Sequence, residues 1–304
     1  MCTKWVQVDR CKPLLGTYVD IHLAVDVAEN VNRDVLIAAS ETAFSRIQSV
    51  QDLMSFHDPE SELSGINRDA FQHAVPISPS THDVIKTALD ISAASGGIYD
   101  ISVAHALVQK GYLPRHAYAA GRSYVSADWT AIKLQARSIR FDANIMIDLG
   151  GIAKGYAVDA AFEGLLQMPI PFTQIIVNAG GDIRMLDWQD KDIVLRTPAR
   201  WKRTRFVDYT MQNTALATSI PGHGSPSSRI LDPISHTRAH TNRAHIKNWL
   251  GWHTQKSISI FADRCMIADA LTKTMYLAPE RTDLLERFNV CGAIVDINGR
   301  IEAI

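Results

Sequence analysis

Hydrophobic and polar positions change period along the chain. In TYVDIHLAV, residues 17–25, apolar side chains alternate with polar ones, which predicts a half-buried β-strand. Between residues 31 and 54 the apolar positions recur every three or four residues, as in a long amphipathic helix. The positions on that stripe are Leu36, Ala39, Ala43, Ile47, Val50 and Met54. The chain therefore opens on a strand that is followed by a helix.

Turn residues mark two further helices. Ser78-Pro79 and Gly96-Gly97 bracket an apolar periodic stretch, and these are typical start and stop signals of a helix. IMIDL, residues 145–149, has the apolar run of a short buried strand and leads into Gly150-Gly151. The small residues that follow continue the helical period to about residue 165. The pattern predicts a strand, a glycine-rich turn and a helix.

The C-terminal half is rich in short β segments. QIIVN, ALATSI and SISIF, at residues 174–178, 215–220 and 257–261, are predicted strands, whereas residues 221–256 resemble an irregular loop. Asn298-Gly299 between two apolar segments is a strong hairpin signal. Hairpin-linked strands with long helices between them favour an α+β fold over a doubly wound parallel sheet. The length of 304 residues alone allows one large domain or two smaller ones.

Composition limits the partners and the compartment. The 304 residues carry 31 Lys and Arg against 32 Asp and Glu, a net charge of −1, which gives no electrostatic reason to expect nucleic acid or an anionic membrane as partner. No apolar window reaches the roughly 18 to 20 residues of a membrane span, and the N-terminus lacks a signal-peptide core. We therefore expect no membrane span and a cytoplasmic location. Four cysteines are too few for a disulfide framework, and we expect Cys265 and Cys291 in the core.

The glycine-rich turn at residues 150–151 suggests a bound anion. A helix that starts after two glycines presents unpaired backbone N–H groups and the positive end of its dipole. GGIAKG matches neither the dinucleotide fingerprint nor the P-loop. Lys154 could return to the same anion, whereas Asp148 would repel a phosphate and suits a hydroxyl, a ring N–H or a cation. The simpler interpretation is that the glycines only permit close packing of strand and helix.

Seven stretches in a fixed order resemble one family. They are PLLGTYVDI, LMSFHDPESELSGIN, SGGIYDISV, IDLGGIAKGYAVD, VNAGGDI, RILDP and CMIADAL, and they span residues 13 to about 272. The set is similar to that of the ApbE family of FAD:protein FMN transferases. The resemblance implies that residues 1–304 form a single α+β domain of two intimately packed T-fold-like halves. These halves have antiparallel sheets and long helices, with the flavin site between them. It also implies that FAD is cleaved, FMN passes to a threonine of an acceptor protein and AMP is released.

The resemblance assigns site residues position by position. Leu15 stands where the family commonly has Met, and His57 stands where an aromatic residue is usual. Gly151, through its backbone carbonyl, and Asp269, through its carboxylate, match positions that bind Mg²⁺ in the family. The positions that match flavin or FAD contacts are Leu15, His57, Ile98, Tyr99, Asp100, Asp148 and Lys154.

Two departures from the family pattern concern the chemistry. Lys273 stands four residues after Asp269, where the family has a metal-binding threonine, and an ammonium offers Mg²⁺ no oxygen ligand. Either the two residues form an ordinary helical ion pair, or the ammonium takes the place of the metal. Arg229 stands where histidine is usual and cannot act as a general base, although it could clamp phosphate oxygens. Nearby His223 and His236 are candidate replacements for that base.

Three activities remain open at this stage. As a transferase, with Asp269, Arg229 and Lys273 at the reaction centre, the chain would move FMN from FAD to an acceptor flavoprotein with a target threonine. As a binding protein it would hold FAD without turnover. As a pyrophosphatase it would release FMN and AMP with water as the acceptor. We expect the transferase first. Many members of the family are exported, but this N-terminus gives no sign of export.

Overall fold

The computed structural model describes residues 5–125, 127–198, 206–220, 230–233 and 256–304. The helices in these ranges are α1 (Arg33–Met54), α2 (Glu62–Asp69), α3 (Pro79–Ser95), α4 (Ala104–Gln109), α5 (Ala153–Leu166), α6 (Cys265–Leu277) and α7 (Asp283–Arg287). The strands are β1 (Trp5–Leu14), β2 (Thr17–Asp26), β3 (Val75–Pro76), β4 (Ile132–Gln135), β5 (Ser138–Phe141), β6 (Phe172–Ala179), β7 (Asp182–Met185), β8 (Asp192–Arg196), β9 (Phe206–Thr210), β10 (Ala215–Ser219), β11 (Lys256–Ala262), β12 (Cys291–Asp296) and β13 (Ile301–Ala303).

An antiparallel sheet of eight strands is the centre of the fold. Its order is β1-β2-β6-β7-β10-β11-β12-β13, and each neighbouring pair is antiparallel. Two small antiparallel sheets, β3-β5-β4 and β8-β9, lie beside it. The predicted α+β class is therefore confirmed. No helix among the described residues has the length and hydropathy of a membrane span.

The predicted amphipathic helix and the first strand meet in the core. All six residues of the α1 stripe are buried, as are Val19, Ile21, Leu23 and Val25 of β2. Asn32 ends the preceding loop, and its side-chain oxygen accepts the N–H of Val35 at 3.0 Å, which caps the first turn of α1. Burial of one face and capping of one end explain why the local pattern was sufficient to locate this helix.

Helices cover one face of the large sheet, and the β8-β9 hairpin covers part of the other. Consecutive residues of β10 show the two sides: Ala217 packs in the cluster that contains α1, α5 and α6, whereas Leu216 packs with Leu195 of β8. Tyr209 of β9 stacks on Phe261 at a ring distance of 5.6 Å. Both faces of the sheet around β10 are therefore covered by apolar side chains. This packing fixes the strands against which α5 and α6 lie.

The strand predicted at residues 145–149 does not form. Only one isolated parallel bridge, between Val103 and Met146, connects the segment to another strand-like stretch. The buried side chain of Asn67 takes the place of a neighbouring strand, because its Oδ1 accepts the N–H of Ile147 at 2.7 Å and its Nδ2 donates to the Ile147 carbonyl at 2.9 Å. The apolar run is buried as predicted, but the side chain of Asn67 bonds the backbone of Ile147, and the N–H of Asp148 donates to the carbonyl of Ile101 at 2.8 Å.

The other expectations have mixed outcomes. The helix between Ser78 and Gly96 forms as α3, and Asn298-Gly299 connects β12 to β13, with Gly299 at φ +87°. Cys265 is buried, but the prediction for Cys291 is wrong because it lies exposed at the start of β12. Most of the loop predicted at residues 221–256 lies outside the described residues.

Candidate active site

A cleft brings together four of the segments singled out in the sequence. It holds about 650 Å³ of empty space, part of which is open solvent. The loop after α3, the turn before α5, the C-terminal half of α6 and residues 230–233 contribute to its walls. Residues of interest on these walls are Ile98, Tyr99, Asp100, Asp148, Gly150, Gly151 and Lys273. Segments about 40 to 180 residues apart in sequence thus share one site.

Asp148 lies at the glycine turn with its backbone anchored. Its N–H donates to the carbonyl of Ile101 at 2.8 Å, which ties the turn to the loop after α3. Burial raises the pKa of the Asp148 carboxyl, whereas the N–H groups of Gly150 and Leu149 and the ring of His57 act in the opposite direction. The carboxylate is therefore fixed at the cleft by local donors, where it can accept a hydrogen bond from a ligand.

Tyr99 and Asp100 line the same cleft. Burial, and after it the negative charge of Asp269, raises the pKa of the Tyr99 phenol well above its usual value, so the hydroxyl stays protonated and can donate. Both carboxylate oxygens of Asp100 accept backbone N–H groups, from Ser102 at 2.7 Å and from Trp129 at 3.1 Å. Burial raises the pKa of Asp100. Its bonds show that Asp100 holds the shape of the loop, and any contact with FAD stays a prediction.

Gly151 leaves room in the middle of the cleft. A Cβ built on it would lie 3.6 Å from the Tyr99 hydroxyl and 3.9 Å from Cε of Lys273. Its φ is not in the positive range, so the backbone itself does not demand glycine. The absence of a side chain at Gly151 therefore keeps the space between the phenol and the lysine open for a ligand.

Asp269 and Lys273 are bonded to each other at the base of this space. The Lys273 ammonium forms an ion pair with Oδ1 of Asp269 and also donates to the Asp269 carbonyl at 2.9 Å. Oδ2 of the fully buried Asp269 accepts the N–H of Gly155 at 3.1 Å. Each carboxylate oxygen of Asp269 thus has a partner from the chain.

The metal set that the resemblance implies does not fit this arrangement. Mg²⁺ requires oxygen ligands in near-octahedral geometry, and here an ammonium lies against the Asp269 carboxylate. Gly151 does lie in the same cleft. Within the described ranges, no three His, Cys, Asp or Glu side chains converge as a metal-binding group. The assignment of Gly151 and Asp269 to a metal stays a prediction, and no reaction step below passes through Mg²⁺.

Lys154 has a partner that the sequence did not indicate. It lies in the first turn of α5, as predicted, and its ammonium forms an ion pair with Asp182, which is only 2% exposed at the start of β7. Burial lowers the pKa of the Lys154 ammonium, the positive charge of Lys273 acts in the same direction, and Asp269 opposes both. The charges of Lys154 and Lys273 therefore interact, each ammonium is paired with one buried carboxylate, and Lys273 lines the cleft.

Asp182 belongs to the motif NAGGD, and a carboxylate at such a turn can accept backbone N–H groups of its own loop. The turn needs no help from it, because Asn178 accepts the N–H of Gly181 at 2.9 Å and both glycines have positive φ. The sequence did hold one signal for this pair. Asp182 is not needed to form its own turn, and Lys154 follows another glycine turn.

Leu15 and His57 do not line the cleft. Leu15 has φ +55° and with Gly16 forms the two-residue turn between β1 and β2, where its N–H donates to Oε1 of Gln51 at 2.6 Å. Positive φ is rare for a residue of this size and indicates a turn held by its surroundings. His57 is exposed and lies near enough to Asp148 to affect its pKa. Their contacts with flavin stay predictions.

Arg229, together with His223 and His236, lies outside the described residues. Ile230 and Leu231, which follow Arg229 in the motif RILDP, line the cleft. The motif therefore reaches the site, and the predicted role of the arginine itself stays a prediction.

Taken together, the fold and the cleft define an α+β protein with a glycine-lined site in which Lys273 is paired with Asp269. A model of the ApbE family matches residues 15–295. The chain belongs to the ApbE family, as the motif resemblance predicted.

Known proteins show the same relationship. The chain is 25% identical over 272 residues to the FAD:protein FMN transferase of Vibrio cholerae serotype O1, which covers 81% of this chain and 76% of that protein. It is 24% identical over 271 residues to the enzyme of the same name from Treponema pallidum, with coverages of 79% and 71%.

Solved structures share the fold. The flavin transferase ApbE from Vibrio cholerae superposes with a TM-score of 0.73 at 20% identity, over 99% of this chain and 97% of that one. The ApbE protein from Thermotoga maritima gives a TM-score of 0.74 at 21% identity, with coverages of 98% and 96%. These likenesses confirm the α+β ApbE-like architecture.

Proposed function

We propose that this protein transfers FMN from FAD to a threonine of an acceptor protein and releases AMP. The observation that carries the proposal is the convergence of the motif residues Tyr99, Asp148, Gly151 and Lys273 on one cleft. Membership in the ApbE family and the names of its relatives support the same chemistry.

The reaction is a substitution at phosphorus. The acceptor hydroxyl oxygen attacks the phosphorus of the FMN half, and the bond from that phosphorus to the bridging oxygen breaks. The bridging oxygen leaves with AMP, and the hydroxyl proton passes to a base or to solvent. Charge on the non-bridging and leaving oxygens grows during the transfer, so fixed positive charge near them lowers the barrier.

Two described lysines provide such charge. Lys273 lines the cleft. Lys154, whose charge interacts with that of Lys273, lies in the first turn of α5, where the positive end of the helix dipole adds to its own charge. We propose that both face the linked phosphates of FAD. Arg229 is proposed to clamp phosphate oxygens as well, on the sequence resemblance alone.

The polar groups on the upper walls suit the flavin half. The protonated Tyr99 hydroxyl can donate a hydrogen bond, and the Asp148 carboxylate can accept one. A flavin ring and its ribityl chain present both kinds of partner. The gap left by Gly151 lies between Tyr99 and Lys273, so a ligand in it would have the Tyr99 hydroxyl on one side and the Lys273 side chain on the other.

Intact-mass spectrometry tests the proposal. The purified protein is incubated with FAD and the FMN-free acceptor of the Vibrio cholerae relative, and that relative serves as positive control. We expect one FMN mass added to the acceptor. AMP release with an unmodified acceptor would indicate hydrolysis of FAD instead, and bound but intact FAD would indicate a binding protein. Absence of FAD binding would overturn the proposal and both alternatives.

A further inference from the structure

We infer that the ammonium of Lys273 serves as the fixed counter-charge for the FAD pyrophosphate in place of a divalent cation, so that this protein acts without Mg²⁺. The inference rests on the proposed function and concerns the same cleft. It follows from the contacts of Asp269 and Lys273 and from the charge that the chain itself carries there.

The first step is the position of the ammonium. It is bonded to the Asp269 carboxylate and, at 2.9 Å, to the Asp269 carbonyl. It therefore lies where a cation bound by Asp269 would have to lie. A divalent ion could enter only by displacing the ammonium or by lying within a few ångströms of it, and both carry a large electrostatic penalty.

The second step is that Lys273 is accessible to a ligand from the cleft. Its side chain is 21% exposed and lines the cleft, whereas Asp269 is 0% exposed and faces the protein. An ammonium has three N–H donors, and the two bonds to Asp269 leave a third. The Lys273 ammonium can therefore be held by the buried Asp269 and at the same time donate to a phosphate oxygen in the cleft.

The third step is that the remaining oxygen of Asp269 is committed elsewhere. Oδ2 accepts the Gly155 N–H at 3.1 Å, in the first turn of α5. Gly155 packs closely against α6, because a Cβ on it would lie 2.7 Å from the backbone carbon of Cys265. Turning Asp269 towards a metal would break a bond inside a closely packed helix pair.

The chain's charges are consistent with this substitution. Relative to the family pattern, lysine replaces a neutral threonine at position 273 and arginine replaces histidine at position 229. With the histidine neutral, the two changes add two positive charges, the charge of one Mg²⁺ ion. Arg229 lies outside the described residues, so the inference rests on Lys273 and takes this sum only as agreement.

The test compares metal dependence in three proteins. AMP release from FAD in the presence of the acceptor is measured in EDTA and across a Mg²⁺ titration, for the wild type, Lys273→Thr and Lys273→Met. Threonine restores the oxygen ligand of the family pattern, whereas methionine restores neither oxygen nor charge. Binding of Mg²⁺ to each protein is measured in parallel by calorimetry, which does not depend on turnover.

We expect the wild type to be active in EDTA and to change by less than about 2-fold with Mg²⁺. Both variants should lose roughly 10²-fold in EDTA, the usual effect of removing one group that stabilises the transition state. Mg²⁺ should restore at least about 10-fold of the lost rate to the threonine variant only, and only that variant should bind the ion. Lys86→Thr, which removes an exposed i,i+4 ion pair with Asp90 outside the cleft, should behave as wild type.

The opposite results are equally clear. A wild type that forms the FMN adduct only with Mg²⁺ would overturn the inference and leave the transferase proposal standing. Equal responses of the threonine and methionine variants to Mg²⁺ would show that Lys273 does not stand in the place of a metal. A wild type that binds no FAD in either condition would overturn both proposals.

Discussion

Asp159 of α5 and Asp269 of α6 each accept hydrogen bonds from the first turn of the other's helix. Asp159 accepts the N–H of Cys265 at 2.8 Å and that of Met266 at 3.0 Å, while Asp269 accepts the N–H of Gly155 at 3.1 Å. Each helix thus supplies a negative charge to the positive end of the other. The exchange fixes α5, which carries Lys154, against α6, which carries Lys273, and so fixes the spacing of the two lysines.

The first prediction concerns Asp159. Asp159→Asn should lower the free energy of unfolding by about 1–3 kcal/mol, because one of the two N–H groups at the start of α6 loses its acceptor in a buried site. Urea denaturation measures the change. Asp90→Asn, at an exposed ion pair on α3, is the matched control and should have no measurable effect. Equal stability of the Asp159 variant and the wild type would contradict the role of the exchanged bonds.

The second prediction is a pH dependence from the same residue. Burial raises the pKa of Asp159 from 3.8 to about 6, against the opposing charge of Arg184. The folded protein therefore binds the Asp159 proton more tightly than the unfolded chain does. The contribution of this proton to folding stability is fully present below about pH 3.8 and is lost as the pH rises through about 6. The stability of the wild type relative to Asp159→Asn should increase by up to about 3 kcal/mol between pH 7 and pH 4. A difference that stays constant, or that shrinks as the pH falls, would contradict this.

The third prediction concerns the contact between α5 and α6. A Cβ at Gly155 would lie 2.7 Å from the Cys265 carbonyl carbon and 2.8 Å from Cα of Met266, so one helix would have to move. Gly155→Ala should destabilise the protein by about 1–3 kcal/mol. Gly65→Ala is the matched control in α2, where the nearest atom is 3.9 Å away, and it should stabilise by about 0.5–1 kcal/mol. Thermal melting should therefore give a lower melting temperature for Gly155→Ala and a higher one for Gly65→Ala than for the wild type. The opposite order would contradict this packing.

The fourth prediction concerns the opening in the cleft. Gly151→Ala places a methyl group 3.6 Å from the Tyr99 hydroxyl, in ordinary van der Waals contact and without backbone strain. We expect an unchanged melting temperature and a weakening of FAD binding by about 10-fold, which corresponds to about 1.4 kcal/mol. Quenching of flavin fluorescence measures the affinity. Binding as tight as in the wild type would place FAD elsewhere.

The fifth prediction assigns Asp182 as the residue that positions Lys154. Asp182→Asn and Lys154→Met should each reduce FAD affinity, and the double variant should be little worse than Lys154→Met alone. The coupling energy of this cycle should be about 1–3 kcal/mol, as for contacting residues. Additive losses would show that the ion pair does not prepare the lysine for the ligand.

Local pattern was sufficient for much of the fold. The stripe from Leu36 to Met54 and the alternation from Val19 to Val25 specify buried faces, and the signals at Ser78, Gly96 and Gly299 specify ends and turns. These features depend on neighbours in sequence. The strand predicted at residues 145–149 failed because its bonding partner is the side chain of Asn67, about 80 positions earlier, which no periodicity reveals.

For the site, too, the sequence predicted some features, whereas others depend on contacts that only the fold creates. The motifs predicted that Tyr99, Asp148, Gly151 and Lys273 belong together, and the structure places them in one cleft. The sequence did not reveal that Asp182 holds Lys154 or that Asp159 and Asp269 exchange bonds with opposite helices. These contacts join residues that are neither adjacent nor periodic, so only the packing of α5 on α6 and on β7 brings them together.

The ratio of AMP released to FMN covalently attached to the acceptor distinguishes transfer of FMN from hydrolysis of FAD and from binding without turnover. Both products are quantified in the same reaction, AMP by chromatography and attached FMN by fluorescence of the denatured acceptor. The wild type should release one AMP for each attached FMN, and Lys273→Met should lose both products together. AMP formed well in excess of attached FMN, or FAD recovered intact beside an unmodified acceptor, would contradict the proposed transfer.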